Sequence, residues 1–281
     1  MKNLLALFIL SLNIHAGIYN TDDRHEIIDA PREIQDISKS IAAVIPKNRV
    51  KKLENGDFKL NGLSYVESLN FCEDERFVQT QSIIANCSAS LVGSKKVATA
   101  AHCFDEYPGS TFNDYYIVFD YIYDHTNTED LILNKDSVYE IKNTIQYTFN
   151  FPGDKDVALL ELEREVVNRT PLKVSKRRVQ ESEEIYMLGF PLGLPMKYHD
   201  NGFVTSLSSG LAGNNSFSHN LDTFSVNSGS SIFSSKTNEI VGILVRGIGE
   251  NFTYNNEKSC NVWGNGNDHS GQANFIDLLK I

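Results

Sequence analysis

From Ser82 onward the chain is a procession of short runs rich in β-branched and aromatic residues, each closed by turn-forming residues. SIIANCSASLV, KKVATAA, YYIVFDYIY, VYEIKNTIQYT, DVALLELE, EEIYMLGF, FVTSLS, SSIFSS and EIVGILV follow one another. Such side chains suit a pleated, half-buried surface, and many short strands with frequent turns predict a sandwich or a barrel. Asn61-Gly62, Pro108-Gly109, Pro152-Gly153 and Asn201-Gly202 supply the expected punctuation. Near the end, Gln272 to Lys280 carries apolar residues at Ala273, Ile276, Leu278 and Leu279, a spacing that predicts a short terminal helix.

The 281 residues suffice for one substantial domain or two small ones sharing an interface. A formal charge of −10 argues against nucleic acid as a partner, since a phosphate backbone demands a basic surface. Residues 1–16 combine Lys2, an apolar run from Leu4 to Leu12 and a small residue at Ala16, which predicts a signal peptide. The run is well short of the roughly 20 residues a spanning helix needs, so no membrane partner is expected. Residues 17–37 are polar and charged and read as an N-terminal extension, a pro-segment or a surface wrap; Ile41 to Ile45 could be a strand.

Cys72, Cys87, Cys103 and Cys260 are an even set, which in an exported protein suggests two disulfides with three connectivities open. Neither a Cys-x-x-Cys pair nor closely spaced histidines point to zinc, and no metal or cofactor is expected.

A serine hydroxyl becomes a nucleophile at neutral pH when an imidazole takes its proton, a carboxylate orients the imidazole and donors await the oxyanion. Three segments contain these side chains. In Val97-Ala98-Thr99-Ala100-Ala101-His102-Cys103 a β-prone run ends in small residues and a histidine beside a cysteine. In Asp156-Val157-Ala158-Leu159-Leu160 a carboxylate opens a strand. In Val226-Asn227-Ser228-Gly229-Ser230 a serine stands in a tight, polar loop before the run EIVGILVRG. A core histidine, an acidic turn residue and a Ser/Gly-rich hairpin would explain each segment singly. Their order, with 54 residues between the first pair and 72 between the second, is harder to explain by coincidence.

These motifs resemble those of the trypsin-like serine peptidases, in particular the bacterial and glutamyl-endopeptidase-like branch. The resemblance runs from about Ser82 to Gly247. It implies two packed antiparallel six-stranded β-barrels within 38–281, their boundary near 168, and a catalytic triad of His102, Asp156 and Ser228 in the crevice between them. It implies a Cys87–Cys103 bridge, which leaves Cys72 and Cys260 to pair. Val226 and Ser228 would supply the oxyanion donors, and Asp222, Arg246 and Gly247 would line the substrate pocket. Gly189 to Pro195 resembles the scaffold before the nucleophile loop. The expected protein is a secreted or periplasmic endopeptidase, monomeric, acting on protein or peptide substrates. A catalytically weakened relative that holds peptides in the same cleft is the alternative.

The chain departs from the family pattern at Val226, Asn227 and Arg246. Val226 stands where glycine is usual, and a β-branched residue resists positive φ, so the peptide is expected to sit differently or to turn only on substrate binding. Asn227 replaces an aspartate, which argues against activation by an inserted N-terminal amine. Asp222 resembles the family's pocket aspartate and either attracts a basic substrate side chain, braces its own loop or points elsewhere, and Arg246, where the family often has a large apolar residue, could neutralise it or favour acidic substrates instead. His219 is expected at the surface or in a turn, or lining the acyl pocket.

Overall fold

The computed structural model describes residues 17–19, 21–104, 111–125, 131–150, 155–208, 214–247, 251–266 and 271–281. The proposed signal peptide and the Pro108-Gly109 and Pro152-Gly153 turns lie outside them.

Twelve strands build the body. The first six are β1 (Ile41–Pro46), β2 (Cys87–Gly93), β3 (Lys96–Thr99), β4 (Tyr115–Phe119), β5 (Val138–Asn150) and β6 (Lys155–Leu162). They close into an antiparallel barrel in the order β1-β2-β3-β6-β5-β4, with β4 returning to β1. The second six are β7 (Glu184–Gly189), β8 (Lys197–Leu207), β9 (Ser216–His219), β10 (Ser231–Ser234), β11 (Ile240–Arg246) and β12 (Gly271–Phe275). Their order, β7-β8-β9-β12-β11-β10 with β10 returning to β7, repeats that of the first barrel. The expected pair of six-stranded barrels is therefore the fold. Closure removes the free edges through which an open sheet would pair with other chains.

Alternation explains which residues fill each barrel. Along β8, Lys197, His199, Gly202 and Val204 are buried while Tyr198, Asp200 and Phe203 are partly or fully exposed. The second barrel packs Met187, Val204, Phe217, Ile232 and Leu244 in its interior. The larger cluster runs from the first barrel, through Val44, Leu91 and Leu159, into the interface, where Phe190, Phe233 and Ile243 join it.

Two expectations change. Asn201-Gly202 lies inside β8: Asn201 has φ of +57°, and the pairing with β7 slips between Ile185 and Met187, which makes the dipeptide a kink in a continuous strand rather than its end. The terminal helix is confined to one 3₁₀ turn, Ile276–Leu278, because Gly271–Phe275 is the strand that completes the second barrel.

Outside the barrels, residues 17–19 and 21–26 wrap the second barrel. Ile18–Tyr19 pairs in parallel with Asn265–Gly266, and Arg24–Glu26 pairs with Lys197–His199 at the start of β8. Between β1 and β2 an insertion carries a short helix, Tyr65–Leu69, whose Ser64 and Glu67 form a capping box. The Cys72–Cys260 disulfide ties this insertion to the hairpin of Phe252–Asn255 and Cys260–Trp263. Ile18, Tyr65, Phe71, Phe224 and Trp263 pack there as a third cluster.

Candidate active site

β3 ends at Thr99, and the fully buried Ala100 and Ala101 let the chain turn tightly against the barrel into the 3₁₀ turn Ala101–Phe104. That turn is pinned on its far side. Cys103 bridges to Cys87 on β2, and Phe104 packs against Phe112 and Tyr115. His102 projects between these anchors, with its side chain 32% exposed, and its ring lies beside the disulfide. Because both sulfurs are engaged in the bridge, this group is no metal site.

Asp156 is the second residue of β6, the strand that runs between β5 and β3. Its carboxylate is almost fully buried and both oxygens face His102. Oδ1 accepts the backbone N–H of His102 at 2.9 Å and Oδ2 lies 2.5 Å from Nδ1. The pair of contacts fixes the ring plane and directs the proton on Nδ1 to the carboxylate, leaving Nε2 to the crevice. The N–H of Asp156 donates to Oδ1 of Asn274 on β12, so the second barrel braces the backbone that carries the carboxylate.

Ser228 stands in the loop between β9 and β10, half-buried. Its carbonyl accepts the N–H of Ser88 on β2 at 2.8 Å and lies 3.8 Å from Sγ of Cys103, next to His102. The N–H of Gly229 donates to the carbonyl of Leu244 on β11, which anchors the loop to the other barrel. Gly229 has φ of +84°, and a Cβ there would lie 2.0 Å from the carbonyl oxygen of Ser88; only glycine fits. The structure thus brings His102, Asp156 and Ser228 into one crevice, although no hydrogen bond joins Ser228 Oγ to His102.

Val226 departs from expectation. It takes the left-handed conformation, with φ of +70°, as third residue of a turn closed by Asn227 N–H on the carbonyl of Phe224. A type II turn requires positive φ at that place, normally met by glycine. The strain, of order 1–3 kcal/mol for such a residue, is held by the surroundings. The carbonyl of Ser225 accepts the N–H of Leu192, and the side chain of Asn251 grips both the N–H and the hydroxyl of Ser225. Among the described residues, neither Val226 N–H nor Ser228 N–H donates to a protein acceptor. Asn227 is buried and accepts from Ser230 Oγ, in place of any ion pair.

The residues expected to line the substrate pocket are arranged otherwise. Asp222 is buried and spent on the N-terminal strap, Oδ1 accepting the N–H of Tyr19 at 2.7 Å and Oδ2 that of Asp23 at 3.0 Å. It braces rather than awaits a base. Burial raises its pKa to about 7 against the lowering pull of those two N–H groups and of Arg24. Arg246 does not neutralise it, and instead donates to Oε1 of Gln272 across β11 and β12. Gly247 abuts the side chain of Thr223. His219 ends β9 inside the barrel, wholly buried over Gly271, where desolvation drives its pKa to about 3. It is not a surface residue.

Sequence reasoning missed Asn274 and Asn251, which hold the site from outside the motifs. It also missed the depth of the strap. Arg24 is fully buried, its guanidinium paired with both oxygens of Asp22 and lying 4.4 Å from the ring centres of Phe224 and Trp263. Lys197, also fully buried, is held by Glu26, Gln81 and the carbonyl of Pro195. The burial is not legible in residues 21–26 because Phe224 and Trp263 around Arg24, and Gln81 and Lys197 around Glu26, lie far away in the chain.

Among known proteins, the family model for the trypsin-like peptidase domain matches residues 87–243, more than half of the chain. A comparison with curated proteins finds no match. Of solved structures, the VesB protease of Vibrio cholerae is similar with a TM-score of 0.52 at 14% identity, over 85% of this chain and 60% of its own. A Glu endopeptidase gives a TM-score of 0.54 at 14% identity, covering 92% and 93% of the two chains. A protein called HBP gives 0.54 at 15%, covering 92% of each. At such identities the structural likeness speaks for the fold, and the matched domain decides the family: the chain belongs to the trypsin-like peptidase domain family.

Proposed function

We propose that the protein is an exported serine endopeptidase with Ser228 as nucleophile, His102 as general base and acid, and Asp156 as the orienting carboxylate. The observation that carries this reading is the double contact of Asp156 with His102, made in the crevice where Ser228 is held by both barrels. A buried carboxylate that grips both the backbone and the ring of one histidine sets the imidazole for proton transfer before substrate arrives.

In this reading Ser228 Oγ attacks the peptide carbonyl as His102 Nε2 takes its proton, and Asp156 stabilises the imidazolium. The oxyanion settles on the N–H groups of Val226 and Ser228. Collapse breaks the C–N bond, His102 gives its proton to the departing amine, and water, activated by the same imidazole, releases the acid from Ser228. No metal or cofactor takes part. The two disulfides and the apolar leader support export.

The reading of a weakened, peptide-holding relative draws on the missing hydrogen bond between Ser228 and His102. Turnover of a fluorogenic peptide library decides between the two. The endopeptidase reading expects cleavage by the wild type and a fall of about 10⁴-fold or more in kcat for Ser228→Ala or His102→Ala, with the fold intact. Binding without cleavage by the wild type contradicts it.

A further inference from the structure

The side chain on the acyl side of the scissile bond is received, on the reading above, between the segment Asp222–Thr223 and the end of β11 at Arg246–Gly247. These two walls meet, and Tyr19 backs one of them. Tyr19 binds Asp222 through its N–H at 2.7 Å, and its phenol oxygen lies 3.0 Å from Oγ1 of Thr223. Thr223 in turn touches the opposite wall: a Cβ built on Gly247 would lie 2.9 Å from Thr223 Oγ1 and 3.6 Å from its carbonyl carbon. A slot able to admit a long or aromatic side chain would hold these two walls apart by the thickness of that side chain. Tyr19, Asp222 and Thr223 are each no more than 3% exposed, so no open channel reaches the carboxylate.

The strap that delivers Tyr19 is fastened on both sides. The N–H of Ile18 donates to the carbonyl of Gly264, and the carbonyl of Gly17 accepts the N–H of Thr223. Beyond it the Arg24–Asp22 pair is buried against Phe224 and Trp263. A buried phenol needs a partner for its hydroxyl and a buried carboxylate needs donors; Tyr19, Asp222 and Thr223 satisfy one another, which leaves nothing for a substrate cation to complete.

We propose that Tyr19 is a specificity-determining residue that plugs the acyl-side pocket from behind, backing Asp222 and Thr223 where they close on Gly247, so that the enzyme accepts only small side chains there. This rests on the assignment of Ser228 and its crevice as the reaction site.

Two measurements test it, one of them independent of catalysis. Peptidyl phosphonates ending in alanine, phenylalanine or lysine analogues report the pocket through their rates of attachment to Ser228. The plug predicts that the wild type and Tyr19→Phe react fastest with the alanine probe. Tyr19→Ala gains about tenfold or more towards the larger ones. Benzamidine binding, followed by thermal shift in a Ser228→Ala background, reports the vacated volume directly. Tyr19→Ala is expected to bind and the parent not to; Tyr19→Val serves if Tyr19→Ala does not fold. A wild type that prefers lysine or phenylalanine, or benzamidine binding equal in parent and variant, overturns the proposal. Failure of every probe to label the wild type instead strikes the catalytic assignment, and the benzamidine comparison still decides the plug.

Discussion

Val226, with its φ of +70°, is where residue-level physics and the family pattern meet. The substitution of valine for glycine leads one to expect a displaced donor, whose loss costs about 10²- to 10³-fold in kcat. The turn instead keeps its shape, and the cost falls on stability. Val226→Gly is therefore expected to raise the unfolding free energy by about 1 kcal/mol, strain relief less the entropy of a new glycine. Its kcat should stay within about threefold, far from the gain that restoring a lost donor would bring. Denaturant unfolding and peptide turnover read the two effects apart; a hundredfold gain in kcat would show the donor to be misplaced. His219 carries a pH prediction. Its pKa is depressed to about 3, so between about 6.5 and 3 the unfolded chain binds a proton that the native one refuses. The stability it contributes is full above that window and lost as pH falls through it. Asp222, with its pKa raised to about 7, works in the opposite sense: it favours the native state below its unfolded value and loses that contribution as pH rises towards 7. A His219→Leu variant should thus lose less stability than the wild type between pH 7 and 4, read from melting temperatures, while equal losses would contradict the burial argument.

At the scale of elements, β2, β3, β6, β10 and β11 are legible because their apolar runs are bounded by small or turn-forming residues. The motifs sit at their ends. β12 was read as helix for a physical reason: its five residues run straight into Ile276, Leu278 and Leu279, with which Ala273 falls at helical spacing, so the short alternation that sends Ala273 and Phe275 into the barrel and Asn274 out to Asp156 is hidden. Asn201-Gly202 misleads likewise, since a turn dipeptide and a strand kink use the same positive φ. The insertion between β1 and β2 has no recognisable pattern, because it folds on a partner hairpin nearly two hundred residues away through Cys72–Cys260. The two disulfides accordingly have different expected phenotypes. Replacing Cys72 and Cys260 by serine should cost about 2–4 kcal/mol of stability and leave the turnover of folded protein nearly unchanged. Replacing Cys87 and Cys103 loosens the turn that carries His102 and should lower kcat itself by about 10- to 100-fold. Unfolding curves with active-site-normalised kinetics test both, and an equal effect on kcat would contradict the assignment.

As a whole, the molecule divides its chemistry between two halves of the same strand order. We place the boundary near residue 168, in the connection from Leu162 to Glu184. His102 and Asp156 come from one barrel and Ser228 from the other, and few contacts align them. Ser90 meets Ser231 at 2.6 Å, Ser88 N–H holds the carbonyl of Ser228, and Asn274 holds Asp156. The proposed triad could be placed from the sequence because each member stands in a short motif. The surroundings of Asp222 and Thr223 could not, since both are bonded to Tyr19, more than two hundred residues upstream of either. The central claim is that Ser228 is an activated hydroxyl, and a fluorophosphonate probe reads that state directly. Mass spectrometry of the folded wild type is expected to find one adduct, on the peptide containing Ser228, and none in Ser228→Ala or His102→Ala. A folded wild type that stays unlabelled, or carries its adduct on another residue, would contradict the account.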